Sequence, residues 1–79
     1  MKKFIDFCKE QVLQRDEKTT DIDNVFVVWS CKTLQNKKAL LSSTDKGAKY
    51  FELTYNGDKN ECYVDEYQKV KNSVVRMAD

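Results

Sequence analysis

The sequence predicts a two-layer α+β fold: a helix, a three- or four-stranded antiparallel sheet and a second helix, with both helices packed on the sheet. Three observations predict this fold. Apolar residues recur at helical spacing near both ends of the chain, they alternate with polar residues in the middle, and turn-forming residues separate the alternating runs. Because the chain has 79 residues, no proline and only two glycines, we expect one ordered α+β domain over residues 1–79.

The first expected element is a helix from Met1 to about Leu13. Its apolar residues recur every three or four positions, which predicts one buried stripe. The stripe consists of Met1, Phe4, Ile5, Cys8 and Val12. Residues 14–24 are polar apart from Ile22 and are expected to form a connector.

The strongest strand signal spans Val25 to Lys32. Strict alternation would place Val25, Val27 and Trp29 on one face, and we expect the second layer to cover that face. Cys31 would follow them on the same face. Because both faces of this strand begin with apolar residues, the strand is expected at the centre of the sheet.

Three further strands are expected, and each is bounded by residues that favour turns. Residues 34–38 favour the first turn because Asn36 tolerates the left-handed conformation, and the Asn-Gly pair at Asn56 and Gly57 is a strong hairpin signal. The strands are expected to span approximately Lys38–Ser43, Lys49–Tyr55 and Glu61–Val64.

The last expected element is a helix from Glu66 to about Met77. Asp65 fits an N-cap, and Gln68 three residues later completes a capping-box pattern. The apolar stripe of this helix consists of Tyr67, Val70, Val74 and Met77.

The composition argues against catalysis, metal binding and cofactor binding. Histidine is absent, and Cys8, Cys31 and Cys62 form no CxxC pair, so a Cys-His nucleophile and the usual four-ligand zinc site are both excluded. We therefore expect no catalytic, metal or cofactor residues, and three reduced, mostly buried thiols. Because no catalytic residues are expected, we also expect that the protein is not an enzyme. The sequence shows no membrane span and no secretory signal, so we expect a cytoplasmic protein.

Positive charge is concentrated in the middle of the chain. Residues 25–50 carry five lysines against Asp45 alone, a formal charge of +4. Two alternatives follow. Positive charge among tyrosines and a tryptophan suits a protein interface. The second alternative is nucleic-acid binding through the lysines of residues 32–49, because the element order resembles that of double-stranded-RNA-binding domains. The acidic start of the second expected helix, DEYQK, and the pI of about 7.6 argue against it.

Two long stretches, VFVVWSCKTLQNKKALLSST at residues 25–44 and YFELTYNGDKNECYVDEYQKVKN at residues 50–72, resemble a family of small phage and prophage proteins of unknown function. The signatures are VWSCKTLQNKKALLS and ELTYNGDKNE. The family occurs in viruses of Gram-positive bacteria such as lactobacilli, streptococci and staphylococci. The resemblance implies a protein made in the bacterial cytoplasm, and it carries no established catalytic residues to this chain. By analogy, small phage proteins without catalytic equipment act by stoichiometric binding to a host protein, such as a defence or replication component.

The hypothesis from the sequence is a non-enzymatic binding protein whose partner is a host protein, with nucleic acid as the alternative. Its contact surface is expected at the polar corner between the first two strands. The second hairpin tip ranks lower, because two hairpins that share a strand need not end on the same side. The candidate contact residues are Lys32, Gln35, Asn36, Lys37, Lys38, Asn56, Asp58 and Lys59. A homodimer stays open as well, because self-association stabilises small domains.

Overall fold

A computed structural model describes residues 1–78 of the chain. The elements in chain order are helix α1 (Lys2–Arg15), a short 3-10 helix (Ile22–Asn24), and strands β1 (Val25–Thr33), β2 (Asn36–Ser43), β3 (Tyr50–Asn56) and β4 (Glu61–Tyr67). The strands form one antiparallel sheet in the order β1-β2-β3-β4, so each strand pairs with its neighbour in sequence. The α+β class is confirmed, with one helix among the described residues where the sequence predicted two. No helix within residues 1–78 has the length and apolar character needed to cross a membrane.

Helix α1 packs its apolar stripe against one face of the sheet. Phe4, Cys8 and Val12 are buried at successive four-residue intervals, so one side of the helix faces the sheet. Met1, which the sequence placed in the stripe, is 43% exposed. The sheet completes the hydrophobic core with Val25, Ala39, Leu41, Phe51 and Leu53.

Strand β1 differs from the prediction in the direction of its side chains and in its position. A β-bulge between Val27 and Trp29 inserts one residue, so the side chains beyond it alternate in the opposite phase. Val25 is buried toward α1, whereas Trp29 pairs with Leu40 on the opposite face and is 40% exposed. Trp29 therefore does not lie on the covered face, and Cys31 is exposed rather than buried. The expectation of a central strand was also wrong, because β1 is an edge strand.

The sheet surface opposite α1 is here called the open face, because no element of the described chain covers it. Strand alternation and pairing place two charged residues of the inner strands there, Lys38 and Glu52, whose Nζ and Oε2 atoms are 3.5 Å apart. Asp65 lies opposite Glu52 on the neighbouring strand. The aromatic and aliphatic residues of the open face are Phe26, Trp29, Leu40, Tyr50, Tyr63 and Tyr67.

The second predicted helix is not formed. Strand β4 continues to Tyr67, and Asp65 pairs with Glu52 within the sheet instead of capping a helix. Residues 68–78 form neither helix nor strand and are exposed. A helix of about 12 residues is marginal in water unless its apolar stripe packs against another element. Here no element within residues 1–78 covers the stripe beyond Tyr67, because Val70, Val74 and Met77 are 97%, 88% and 95% exposed.

Asp45, in the β2–β3 loop, ties that loop to the connector after α1. Its carboxylate accepts hydrogen bonds from the Thr20 backbone N–H at 3.1 Å and from the Asn24 amide at 3.3 Å. The Thr20 hydroxyl donates to the same carboxylate at 3.3 Å. These donors stabilise the ionised form, so they hold the pKa of Asp45 below its ordinary value of 3.8, the Thr20 backbone bond contributing most.

The lowered pKa of Asp45 predicts how stability depends on pH. Because the folded state favours the carboxylate, the contribution of Asp45 is complete above pH 3.8, the ordinary value. It is lost as the pH falls through the lower pKa of the folded state. We expect the variant Asp45→Asn to be less stable at neutral pH and to lose less stability on acidification. Thermal unfolding between neutral pH and about pH 2 checks this, and parallel curves for the two proteins would contradict it.

Candidate functional site

The turn between β1 and β2 places a large apolar side chain in solvent. Only Leu34 and Gln35 lie between the paired residues Thr33 and Asn36. Leu34 has φ of 56° and is 82% exposed. The left-handed region is costly for a bulky residue and is normally taken by glycine or asparagine. The sequence assigned this conformation to Asn36, which instead belongs to β2.

The turn between β3 and β4 is organised by the side chain of Asn56. Its Oδ1 atom accepts hydrogen bonds from the backbone N–H groups of Asp58 at 3.0 Å and Lys59 at 3.4 Å. Asn60 completes the turn with φ of 52°. The hairpin that the Asn-Gly pair predicted is confirmed, although the residue with positive φ is Asn60.

The two turns are in direct contact. Gln35 Nε2 donates to Asp58 Oδ1 at 2.6 Å, and the Gly57 backbone N–H donates to Asn36 Oδ1 at 3.2 Å. A side chain at Gly57 would not fit, because a Cβ atom there would lie 2.8 Å from Gln35 Cβ. The two hairpin tips, residues 34–36 and 56–60, therefore form one continuous area, here called the tip surface. The sequence could not show this, because the contact depends on how far each strand extends.

The lysines near the tip surface lie on both sides of the sheet. Lys32 and Lys37 pair across β1 and β2 and lie on the face that carries α1, and Lys37 Nζ is 5.7 Å from the centroid of the Tyr55 ring. Lys38 points to the open face, where it forms the ion pair with Glu52. Of the eight candidate contact residues, the structure thus brings five together and places the other three, Lys32, Lys37 and Lys38, on two separate faces of the sheet. The five are Gln35, Asn36, Asn56, Asp58 and Lys59.

A groove of about 420 Å³ runs beside the tip surface, between α1 and the sheet. Asn60 lies in both, and its side chain accepts a hydrogen bond from the Tyr55 hydroxyl at 2.9 Å. Phe7, which lies off the predicted stripe of α1, is 42% exposed at this groove. The groove is lined by Lys3, Phe4, Phe7, Lys37, Tyr55, Asn60 and Cys62.

The candidate contact residues chosen from the sequence did not include two exposed apolar residues at this end, Leu34 and Phe7. The signal for Leu34 was its position in the polar turn expected at residues 34–38, because turns lie on the surface of a protein. The signal for Phe7 was its position away from the stripe of Phe4 and Cys8. The contribution of Lys3 to the groove has no counterpart in the sequence pattern.

The remaining lysines of residues 25–50 do not extend this area into a basic patch. Lys49 Nζ lies 2.8 Å from Glu66 Oε2, so this charge is paired. Lys46 lies in the β2–β3 loop, at the end of the sheet opposite the tip surface. The positive charge of the middle segment is thus distributed over both faces and both ends.

The cysteines carry no bond to one another and differ in environment. Burial, with a smaller contribution from Cys62, raises the pKa of Cys8 to about 12. Burial also raises the pKa of the Cys62 thiol. Both therefore remain protonated thiols at neutral pH, a form that is a poor nucleophile and metal ligand. Within residues 1–78, no three cysteine, aspartate or glutamate side chains converge in a way that could hold a metal ion.

The geometry defines a small α+β protein with one helix, a four-stranded meander and an exposed surface where two hairpin tips meet. The sequence matches a family of unknown function, DUF6275, over residues 1–77, and the chain belongs to that family. This confirms the expected membership in a family of unknown function. No curated protein and no solved structure matches the chain.

Proposed function

We propose that this chain is a non-enzymatic, phage-type binding protein that acts stoichiometrically on a host protein, and that the tip surface makes the contact. The observation that carries the proposal is Leu34, a large apolar side chain held in solvent at positive φ. The phage origin and the class of partner rest on the resemblance of residues 25–44 and 50–72 to phage and prophage proteins.

The conformation of Leu34 is costly, and its high exposure means that packing within the described residues offsets little of the cost. A left-handed backbone costs about 1–2 kcal/mol for a residue with a Cβ atom, and a side chain that is 82% exposed recovers little of this by packing. Strained residues of this kind concentrate at binding and catalytic sites, where function maintains them. A leucine that enters a pocket of a partner would bury its apolar surface only in the complex.

The surroundings of Leu34 match the composition of a protein interface. Polar side chains already fixed by hydrogen bonds, Gln35 and Asp58, adjoin the apolar residue and would form a rim that loses little conformational entropy on binding. On the α1 side, the groove adds the exposed ring of Phe7 and the ammonium group of Lys37. This combination favours a partner segment that presents apolar side chains together with a carboxylate.

The variant Leu34→Gly tests the proposal, because it separates binding from folding. Glycine takes positive φ without strain but increases the entropy of the unfolded chain, so the free energy of unfolding is expected to stay the same or rise by up to about 1 kcal/mol. Binding to the partner is expected to weaken at least about tenfold, because the anchor is lost. Urea denaturation and affinity capture from a lysate of a Gram-positive bacterium measure the two effects.

Matched charge variants complete this experiment. Lys37→Glu changes the groove beside the tip surface, and Lys46→Glu makes the same change at the far end of the sheet. Lys38 is avoided, because its replacement would disrupt the ion pair with Glu52. The proposal requires a protein that the wild type and Lys46→Glu retain and that Leu34→Gly loses. Equal recovery of the protein by all variants would contradict the proposal. So would captured material that disappears on nuclease treatment, or whose amount falls steeply with added salt, because that is the behaviour of phosphate binding.

A further inference from the structure

The open face exposes several large apolar side chains that no element of the described chain covers. Phe26 and Trp29 are each 40% exposed there, and Tyr63 and Tyr67 are each 50% exposed. Leu40 lies among them on β2. A monomeric protein seldom exposes so many large apolar side chains on one contiguous sheet surface unless another molecule covers them.

The C-terminal segment, residues 68–78, has the pattern of a helix that lacks a surface to pack on. Val70, Val74 and Met77 recur at the spacing of one helical face, whereas Val75 falls on the opposite side. A helix of ten residues is about 15 Å long, and four strands spaced about 4.8 Å apart span about 14 Å from the first to the last. One such helix would cross the whole open face.

The charges of the two surfaces are complementary. The C-terminal segment carries Lys69, Lys71 and Arg76 and no acidic residue between residues 68 and 78. The open face carries the carboxylates of Glu52 and Asp65, against which only Lys38 stands on the inner strands. A basic amphipathic helix therefore meets an acidic aromatic surface.

The surroundings of residues 68–78 favour packing of this segment on another molecule over packing on its own sheet. Gln68 and Lys69 lie beside Tyr50 and Ser42 in a shallow groove at the end of the open face. Beyond them the chain stays in solvent, with Val70 and Val75 97% and 85% exposed. Gln68 and Lys69, where the chain would have to reverse to cover its own sheet, are not among the glycine, proline, asparagine, aspartate and serine residues that dominate tight turns.

We propose that the open face binds a second copy of this chain, and that residues 68–78 of each copy fold as a helix across the open face of the other. The arrangement is isologous, so each copy donates one helix and receives one. Folding of the segment is coupled to association, because the apolar stripe gains its partner only in the dimer. The inference is independent of the tip surface, which lies at another part of the molecule.

Analytical ultracentrifugation of the full chain over a concentration series tests the proposal, with Trp29 as a second readout. Trp29 is the single tryptophan and lies on the open face, so its fluorescence is expected to shift to shorter wavelength as the dimer forms. The variant Val74→Asp places a charge in both copies of the buried stripe. It is expected to raise the dissociation constant by about 100-fold or more.

The control is the same substitution at the next residue, Val75→Asp, which changes charge and helix propensity equally but points away from the proposed interface. Its dissociation constant is expected to stay within about threefold of the wild type. Three results would overturn the proposal. The full chain could remain monomeric at every concentration, whatever its Trp29 emission. Val74→Asp and Val75→Asp could weaken the dimer equally, or a dimer could form without any change in Trp29 emission with concentration. Circular dichroism of each variant shows that α1 and the sheet remain folded.

Discussion

Replacing Phe51 with alanine is expected to lower the free energy of unfolding by about 3–5 kcal/mol. Phe51 lies on the inner strand β3, is fully buried, and is the largest of the fully buried side chains. It pairs with Leu41 on β2 and lies under α1. A domain of this size has a total stability of only about 4–12 kcal/mol, so we expect a large unfolded fraction in mild urea. Urea denaturation followed by circular dichroism measures the change.

The matched control is Phe7→Ala, which removes the same ring from a position that is 42% exposed. Because Phe7 lines a groove and is not enclosed by the core, the loss is expected to be about 1 kcal/mol or less. If both variants lost equal stability, the assignment of Phe51 to the centre of the core would be wrong.

The second large effect is expected from Asp16→Ala, which should cost about 2–4 kcal/mol. Asp16 follows α1 and is only 3% exposed. Its carboxylate accepts a hydrogen bond from the Thr19 hydroxyl at 2.8 Å, and from the backbone N–H groups of Lys18 at 3.1 Å and Lys49 at 3.3 Å. The Thr19 hydroxyl also lies 2.8 Å from Ser43 Oγ. Removing the carboxylate takes the acceptor from the backbone N–H groups of Lys18 and Lys49 at the junction of the helix, the connector and the sheet, whereas the Thr19 hydroxyl keeps Ser43 Oγ within reach.

Glu17→Ala is the control for Asp16→Ala, because it removes a carboxylate from the adjacent, exposed position. Its effect on the free energy of unfolding is expected to be within about 0.5 kcal/mol. Thermal and urea unfolding of both variants at neutral pH provide the comparison. Similar losses would show that the stability of this junction depends on net charge and not on the hydrogen bonds of Asp16.

The parts of the fold that the sequence predicted correctly are those determined by local periodicity. Helix α1 was predicted from the spacing of Phe4, Cys8 and Val12, which are all buried. The order of the strands in the chain followed from alternation and from turn residues, because each hairpin involves only neighbours in sequence.

The expectations that were wrong concern features that periodicity does not report. A bulge after Val27 reverses the alternation, so Trp29 changes face although the sequence still looks like a regular strand. The apolar residues on both faces of β1 were interpreted as evidence of a central strand, although β1 lies at the edge of the sheet. The amphipathic pattern of residues 66–77 predicted a helix, but tertiary contacts decide whether such a segment folds, and β4 takes its first two residues.

The sequence predicted the two turns but not the contact between them. The polar corner does form a turn at Leu34 and Gln35, and the second tip, which the sequence ranked lower, lies against it through Asp58 and Gly57. Contact between two tips depends on the matched lengths of β2 and β3, which alternation alone leaves uncertain by a residue or two. Leu34 was overlooked because reasoning from charge and polarity gives no weight to an exposed aliphatic residue.

The strand order β1-β2-β3-β4 has a consequence for how the chain folds during synthesis. Every strand contacts the one made just before it, so the sheet can grow by short loop closures and its contact order is low. Helix α1 is made first, yet its buried side packs on Leu41 and Phe51, which emerge from the ribosome some 40 residues later. The nascent chain therefore carries the apolar residues of this segment uncovered until β3 is complete, and during that interval they are accessible to chaperones and proteases.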